Sequence, residues 1–276
     1  MAARQVWRLD LAYEGTAYRG WAAQPGHSTV QGLLEEALAT VLSQRVRLSV
    51  AGRTDAGVHA WAQVASFACA PVEVAPERLR LSLNALLPPD VAVLRAAPAP
   101  TDFVARQATS RSYRYELWAT AVKPVRQRAF VWAVRGAVDS AALRTVAALL
   151  PGRRDFAALT PSARMYRSCI REVTAAAWCD AGPTPDGEGR RWLFEITADG
   201  FLHNMVRVAV GSMVDVAQGR MSPEAFAAAL ACGERRRMGQ TAPARGLALV
   251  AVSYEARRPG DGPGAAGPAV TPPGSG

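Results

Sequence analysis

The residues best placed to do chemistry lie in one short stretch, Gly52-Arg53-Thr54-Asp55-Ala56-Gly57-Val58-His59. Taken alone it reads first as a turn, because an Asp side chain caps its own backbone and Gly supplies positive φ. The same stretch can also present a carboxylate to a large substrate. Its small residues let another molecule approach the backbone, and Arg53 stands close to Asp55. A carboxylate so placed can work as a nucleophile or as a base. The stretch is not a phosphate loop, which would end in Gly-Lys-Ser or Gly-Lys-Thr. A metal held by Asp55 and His59 would need ligands that the chain does not visibly supply. His27, His59 and His203 are scattered, and Cys69, Cys169, Cys179 and Cys232 form no Cys-x-x-Cys pair, so no metal and no disulfide framework is predicted.

Other residue types invite weaker readings. Tyr113 sits in a strand-like segment, where an aromatic ring ordinarily packs in the core. Arg106, Arg111 and Arg114 can hold phosphates, although solvated surface charge is the commoner role of isolated arginines. His59, at a loop-to-strand junction, reads as a hydrogen-bonded structural residue. His203 and Asn204 read as helix-interior packing, and Phe201, Met205 and Met213 as core.

The chain carrying these residues has 276 residues, 50% of them apolar, enough for a substantial core in one large or two ordinary domains. Lys and Arg number 32 against 23 Asp and Glu, giving a net charge of +9 and a pI near 10.1. That balance suits a polyanion such as nucleic acid, with membrane attraction as the competing explanation. Lys123 is the only lysine, and arginine's planar fork suits phosphates and base edges, but an Ala- and Arg-rich chain equally reflects genomic base composition. No apolar run reaches the roughly 18 residues of a spanning helix, and the N-terminus lacks the apolar core of a signal peptide. A soluble, cytoplasmic protein without membrane association is expected.

The elements that must position Asp55 follow from periodicity. Residues 6–12 alternate as a strand, and 13–27 form a loop long enough to be functional. Ser28 and Gln31 suggest a capping box for a helix carrying Val30, Leu33, Leu34, Ala37, Leu38, Val41 and Leu42 at helical spacing. Strands at 46–51 and 63–69 flank the Asp55 stretch, and rigid elements around a loop are where catalytic residues often sit. A helix over 76–87 opens with Pro76, and 91–96 is a strand. The second half echoes the first, with strands at 109–118 and 130–134, a helix at 139–150, and strands at 170–178 and 191–198 around an acidic turn at 180–189. Helices follow over 201–218 and from Ser222-Pro223, then a closing strand over 247–254. This predicts an α+β protein of two similar mixed α/β subdomains, residues 1–105 and 106–256, with a cleft between them. Residues 257–276 are Gly- and Pro-rich and are expected to be disordered.

The Asp55 stretch resembles the signature of the bacterial tRNA pseudouridine synthase A (TruA) family. Further landmarks appear in the family's order: Leu11-Ala12-Tyr13-Glu14-Gly15-Thr16 with Gly20-Trp21, then Asn84-Ala85-Leu86-Leu87-Pro88. Phe103-Val104-Ala105-Arg106 and Arg111-Ser112-Tyr113-Arg114-Tyr115 come next, followed by Phe201-Leu202-His203-Asn204-Met205-Val206-Arg207 and Pro243-Ala244-Arg245-Gly246-Leu247. Together they span about residues 5 to 255. Stretches 156–169 and 233–242 depart from the pattern in length or content and are candidates for RNA contact.

The resemblance implies the pseudouridine synthase fold, in which largely antiparallel sheets of two subdomains flank an RNA-binding cleft. It implies that Asp55 is the catalytic carboxylate and that Tyr113 lies against the target base. Arg207 would pair with Asp55, keeping it ionised and oriented. Arg53 would assist extrusion of the uridine from its stack. Arg106 would hold phosphate, and Leu247 would wall the uracil pocket. The substrate implied for Asp55 is uridine at tRNA positions 38, 39 and 40 in the anticodon stem-loop, bound by a homodimer. Isomerising uridine to pseudouridine involves no redox change, so no cofactor is required. A noncatalytic RNA-binding protein on the same scaffold is the alternative. Asp55, Arg53, Tyr113 and Arg207 together disfavour it, since binding alone needs phosphate contacts and stacking but no such carboxylate. A nucleoside hydrolase is weaker still, because that chemistry usually wants a metal or a second positioned carboxylate.

Overall fold

Alternating apolar residues at the start of the chain form the central strand of the N-terminal half, Gln5–Tyr13, which buries Trp7, Leu9, Leu11 and Tyr13. In the computed structural model, which describes residues 4–254, the elements in order are β1 (Gln5–Tyr13), α1 (Val30–Leu42), β2 (Ser49–Val50), β3 (His59–Cys69), α2 (Pro76–Leu86), β4 (Val91–Ala99), β5 (Ser110–Thr120), β6 (Trp132–Val134), α3 (Ser140–Ala147), β7 (Gly152–Asp155), β8 (Ile170–Pro183), β9 (Gly189–Ala198), α4 (Met205–Ala217), α5 (Pro223–Cys232) and β10 (Leu247–Ser253). The 257–276 tail lies outside the described residues.

The α+β architecture read from the sequence is the one adopted. The strands order as β4-β1-β3-β10-β5-β9-β8-β7, with β2 on β3 and β6 on β5. Pairing is antiparallel except for β5 with β6 and for β3 with β10. That last pair is short, aligning Ala248 with His59 and Leu249 with Ala60. It makes the sheets of the two halves continuous, and it brings the start of β3, directly after the Asp55 stretch, beside β10 and β5. A neighbouring register aligns Leu249 with Tyr113.

Helix α1 buries Val30, Leu34, Ala37, Leu38 and Leu42, matching the apolar spacing. Each fully buried leucine stabilises the fold by about 2 kcal/mol relative to exposure. Its cap differs from the expected Ser28 box by one residue. Thr29 is the N-cap, its Oγ1 accepting from Gly32 N at 3.3 Å. Gln31 instead donates to Glu35 (2.7 Å) and accepts from Ala23 N (3.2 Å), tying the helix to the preceding loop. Helix α5 starts as read, with Ser222 accepting from Ala225 N and Pro223 in the first turn.

Other boundaries moved as well; β8, for one, runs on to Pro183, into the expected acidic turn. The strand expected over 46–51 is reduced to Ser49–Val50, while β3 begins earlier, at His59. The helix expected from residue 201 starts at Met205, because Asn204 takes a left-handed conformation (φ 61°) that breaks helical geometry. Strand β7 was not expected. All four of its residues are exposed and it pairs only with β8, so it carries no buried alternation to read.

Candidate active site

Asp55 projects from the turn between β2 and β3, and its side chain is 31% exposed. The turn is fixed from below by a buried polar network. Thr54 Oγ1 and Tyr13 Oη are 2.7 Å apart. Gln63 Nε2 donates to Tyr13 Oη at 3.2 Å and to the Gly52 carbonyl at 2.8 Å. Burial pushes the Tyr13 phenol up to about 12, outweighing the lowering by its bonds to Thr54 and Gln63. Backbone contacts complete the frame: Trp21 N donates to Thr54 O at 3.0 Å, and Val58 N to Asp55 O at 3.1 Å.

Two glycines allow this packing. Gly20 has φ +92°, and a Cβ there would lie 2.7 Å from Thr54 O. Gly57 has φ +78°, and its Cβ would meet that of Ala244 at 3.2 Å. Both positions combine a left-handed backbone with a close approach, so any side chain would displace the Asp55 turn. The long loop 13–27 thus serves as the cradle of the turn.

His59 closes the turn on its other side. Its Nδ1 accepts from Gly15 N at 3.0 Å, which places the ring proton on Nε2, and Nε2 faces the Ala129 and Arg245 carbonyls at 2.9 and 3.1 Å. The ring is 1% exposed. Burial lowers its pKa against the raising effect of those carbonyls. His59 is a neutral structural residue, as its position at a loop-to-strand junction suggested.

Arg111 departs from its expected role as a phosphate ligand or solvated charge. It is buried, and its guanidinium donates to four backbone carbonyls: Ala51, twice at 2.9 and 2.6 Å, Ala108 (2.6 Å), Asp199 (2.7 Å) and Arg106 (2.8 Å). These lie at the stem of the Asp55 turn, in the segment before β5 and just after β9. Burial depresses the Arg111 pKa, which raising by Tyr254, Tyr113 and Asp199 opposes. Only a planar, many-donor cation can join those segments at one point.

Tyr113, two residues along β5, reaches the same region from the other half of the chain. A Cβ built on Gly52 would lie 3.8 Å from its Oη. Its ring meets Phe201 edge-on, with centroids 5.0 Å apart. Burial first, then the negative influence of Tyr13 and Asp55, raises its pKa far above the ordinary tyrosine value, with Arg111 opposing. The phenol therefore stays protonated, and among the described residues its hydroxyl makes no hydrogen bond.

The remaining expected site residues fall as follows. Arg53 is exposed and, among the described residues, forms no hydrogen bond or ion pair. The Arg106 side chain is likewise exposed, while its carbonyl binds Arg111. Leu247 is buried at the start of β10 opposite Tyr115, and it is Leu249 that lies directly across from Tyr113. The expected ion pair between Arg207 and Asp55 is not made. Arg207 Nε donates instead to Ala242 O and Nη1 to Asn204 Oδ1, both at 2.8 Å, so the left-handed Asn204 and the loop carrying Ala242 take two edges of the guanidinium.

The group facing Asp55 is His203, with Nε2 3.8 Å from Asp55 Oδ1. Its expected place inside a helix is corrected: it stands in the turn before α4, its side chain 44% exposed. No spacing rule pointed to it, since its partners come from distant segments. Among the described residues no group of three or more His, Cys, Asp or Glu is gathered as a metal would need, and no helix is long and apolar enough to cross a membrane.

The chain matches a family model described as tRNA pseudouridine synthase over residues 11–106 and 146–255. Asp55 lies in the first matched stretch and His203, Arg207 and Leu247 in the second, while Tyr113 falls between them. The chain is 45% identical over 267 residues to the tRNA pseudouridine synthase A of Solidesulfovibrio magneticus, covering 94% of this chain and 93% of that protein. It is 41% identical over 248 residues to that of Pelobacter propionicus, covering 90% and 98%. It is also 41% identical over 251 residues to that of Syntrophotalea carbinolica, covering 90% and 96%.

Proposed function

The chain belongs to the tRNA pseudouridine synthase family, and from that premise we propose that Asp55 and Tyr113 together isomerise uridine to pseudouridine in the anticodon stem-loop of tRNA, at positions 38, 39 and 40. The reaction breaks the bond from the ribose C1′ to the uracil N1, turns the base and joins C1′ to its C5. The proton leaving C5 balances the one gained at N1, so atoms and charge close without cofactor or external energy.

The observation that carries this reading is the approach of a protonated phenol, Tyr113, from one half to Gly52, at the stem of the turn that bears the Asp55 carboxylate from the other. Asp55 serves as nucleophile toward the sugar or base, or as the base that draws a ribose proton to give a glycal-like intermediate. Tyr113 offers its ring to the extruded uracil and its hydroxyl as a proton carrier. Extrusion costs a few kcal/mol of stacking, which Arg53, exposed beside Asp55, helps to replace. Arg106 supplies a phosphate contact, Leu247 an apolar pocket wall, and Arg207 has Nη2 left for substrate once Ala242 and Asn204 are bound. Residues 4–105 and 106–254 form the two sides of the cleft, and a homodimer acting in the cytoplasm presents both sites to RNA.

A nucleotide-resolution map of pseudouridine in an unmodified tRNA transcript treated with the protein tests the assignment. Signal confined to positions 38 to 40 supports it. Signal elsewhere keeps the chemistry and moves the target.

A further inference from the structure

His203 enters the site from a turn held by one distant segment, residues 162–166. Its backbone N–H donates to Tyr166 Oη at 2.9 Å. Its Nδ1 lies 2.9 Å from Ser162 Oγ. Tyr166 in turn carries Arg171 over its ring at 5.8 Å. The imidazole is therefore held by its backbone and by Nδ1, leaving Nε2 to face Asp55 Oδ1 at 3.8 Å. When Ser162 donates to Nδ1, the neutral ring carries its proton on Nε2, and the protonated ring carries one there as well. In either state a donor faces the carboxylate. The gap exceeds hydrogen-bond length, but a shift of under about 1 Å would close it, and hydrogen bonds in reaction centres commonly tighten only with substrate bound.

From this geometry we propose that His203 is a positioning residue for Asp55: it orients the carboxylate through Nε2, and Ser162 sets the ring that does so. The inference rests on Asp55 being the reacting carboxylate. No role in binding phosphate is assigned to His203, although Ser162 belongs to a stretch whose Arg164, Met165 and Arg167 are exposed.

The test uses the full chain and an unmodified tRNA transcript. Single-turnover rates at saturating protein and dissociation constants are measured for wild type, Ser162→Ala, His203→Ala, His203→Gln, the Ser162→Ala/His203→Ala double variant and Asp55→Asn. His203→Ala is expected to slow the reaction about 10- to 100-fold, the scale of a misplaced reacting group, with tRNA affinity unchanged. His203→Gln, which keeps an N–H donor, recovers part of the rate. Ser162→Ala slows it less, and adding it to His203→Ala changes nothing further, since Ser162 acts through the ring. A wild-type rate for His203→Ala, or a loss confined to affinity, overturns the proposal while an inert Asp55→Asn leaves the Asp55 reading intact. An active Asp55→Asn overturns both.

Discussion

Arg111 Nε and Nη2 both donate to the carbonyl of Ala51, at 2.9 and 2.6 Å, so the stem of the Asp55 turn is held by a cation from the strand that carries Tyr113. One side chain thereby sets the spacing between the carboxylate and the phenol.

Replacing Arg111 by Met is expected to destabilise the fold by roughly 3 kcal/mol, because several carbonyls lose charge-assisted donors at once. Lysine supplies fewer donors in a different geometry and is expected to recover little of the loss. Urea unfolding of both variants checks this. A wild-type midpoint for Arg111→Met would show that the four-carbonyl clamp contributes nothing.

Tyr113→Phe removes a hydroxyl that makes no hydrogen bond among the described residues while keeping the ring against Phe201. Stability and tRNA affinity are expected to stay at wild-type values, and the single-turnover rate to fall by about 100-fold, the scale of a lost proton carrier. If the rate is preserved, Tyr113 works through its ring alone.

Stability should weaken in mild acid because of His59. Burial holds its folded pKa below the 6.5 of an unperturbed imidazole, so beneath that pH the unfolded chain binds a proton that the folded chain refuses. Stability therefore rises with pH up to about 6.5 and is lost as pH falls toward the folded pKa, with a slope of at most about 1.4 kcal/mol per pH unit from this group. Urea midpoints between pH 7.5 and 5 should decline in wild type and decline less in His59→Gln. Equal slopes for the two proteins would remove His59 as the cause.

Much of this was legible in the sequence for local reasons. The Asp55 turn is contiguous, and α1 announces itself through Val30, Leu34, Leu38 and Leu42. What was not legible depends on segments that meet only in the fold. Arg111 looks like any strand arginine until Ala51, Arg106, Ala108 and Asp199 turn their carbonyls to it. His203 appears to continue the helix behind it, and only the left-handed Asn204 releases it to meet Ser162 and Asp55. The expected Arg207–Asp55 pair is absent from this structure for the same kind of reason, since residue order cannot say that Ala242 and Asn204 take two edges of the guanidinium. Strand β7, Gly152–Asp155, lacks a buried face and so left no pattern.

The most direct test of the central claim is pseudouridine formation on an unmodified tRNA transcript by wild type and Asp55→Asn, with tRNA affinity measured for both. Wild type is expected to modify the anticodon arm, and Asp55→Asn to bind equally well and form no product. Wild type binding a panel of tRNAs and modifying none, or Asp55→Asn reacting at the wild-type rate, would contradict it.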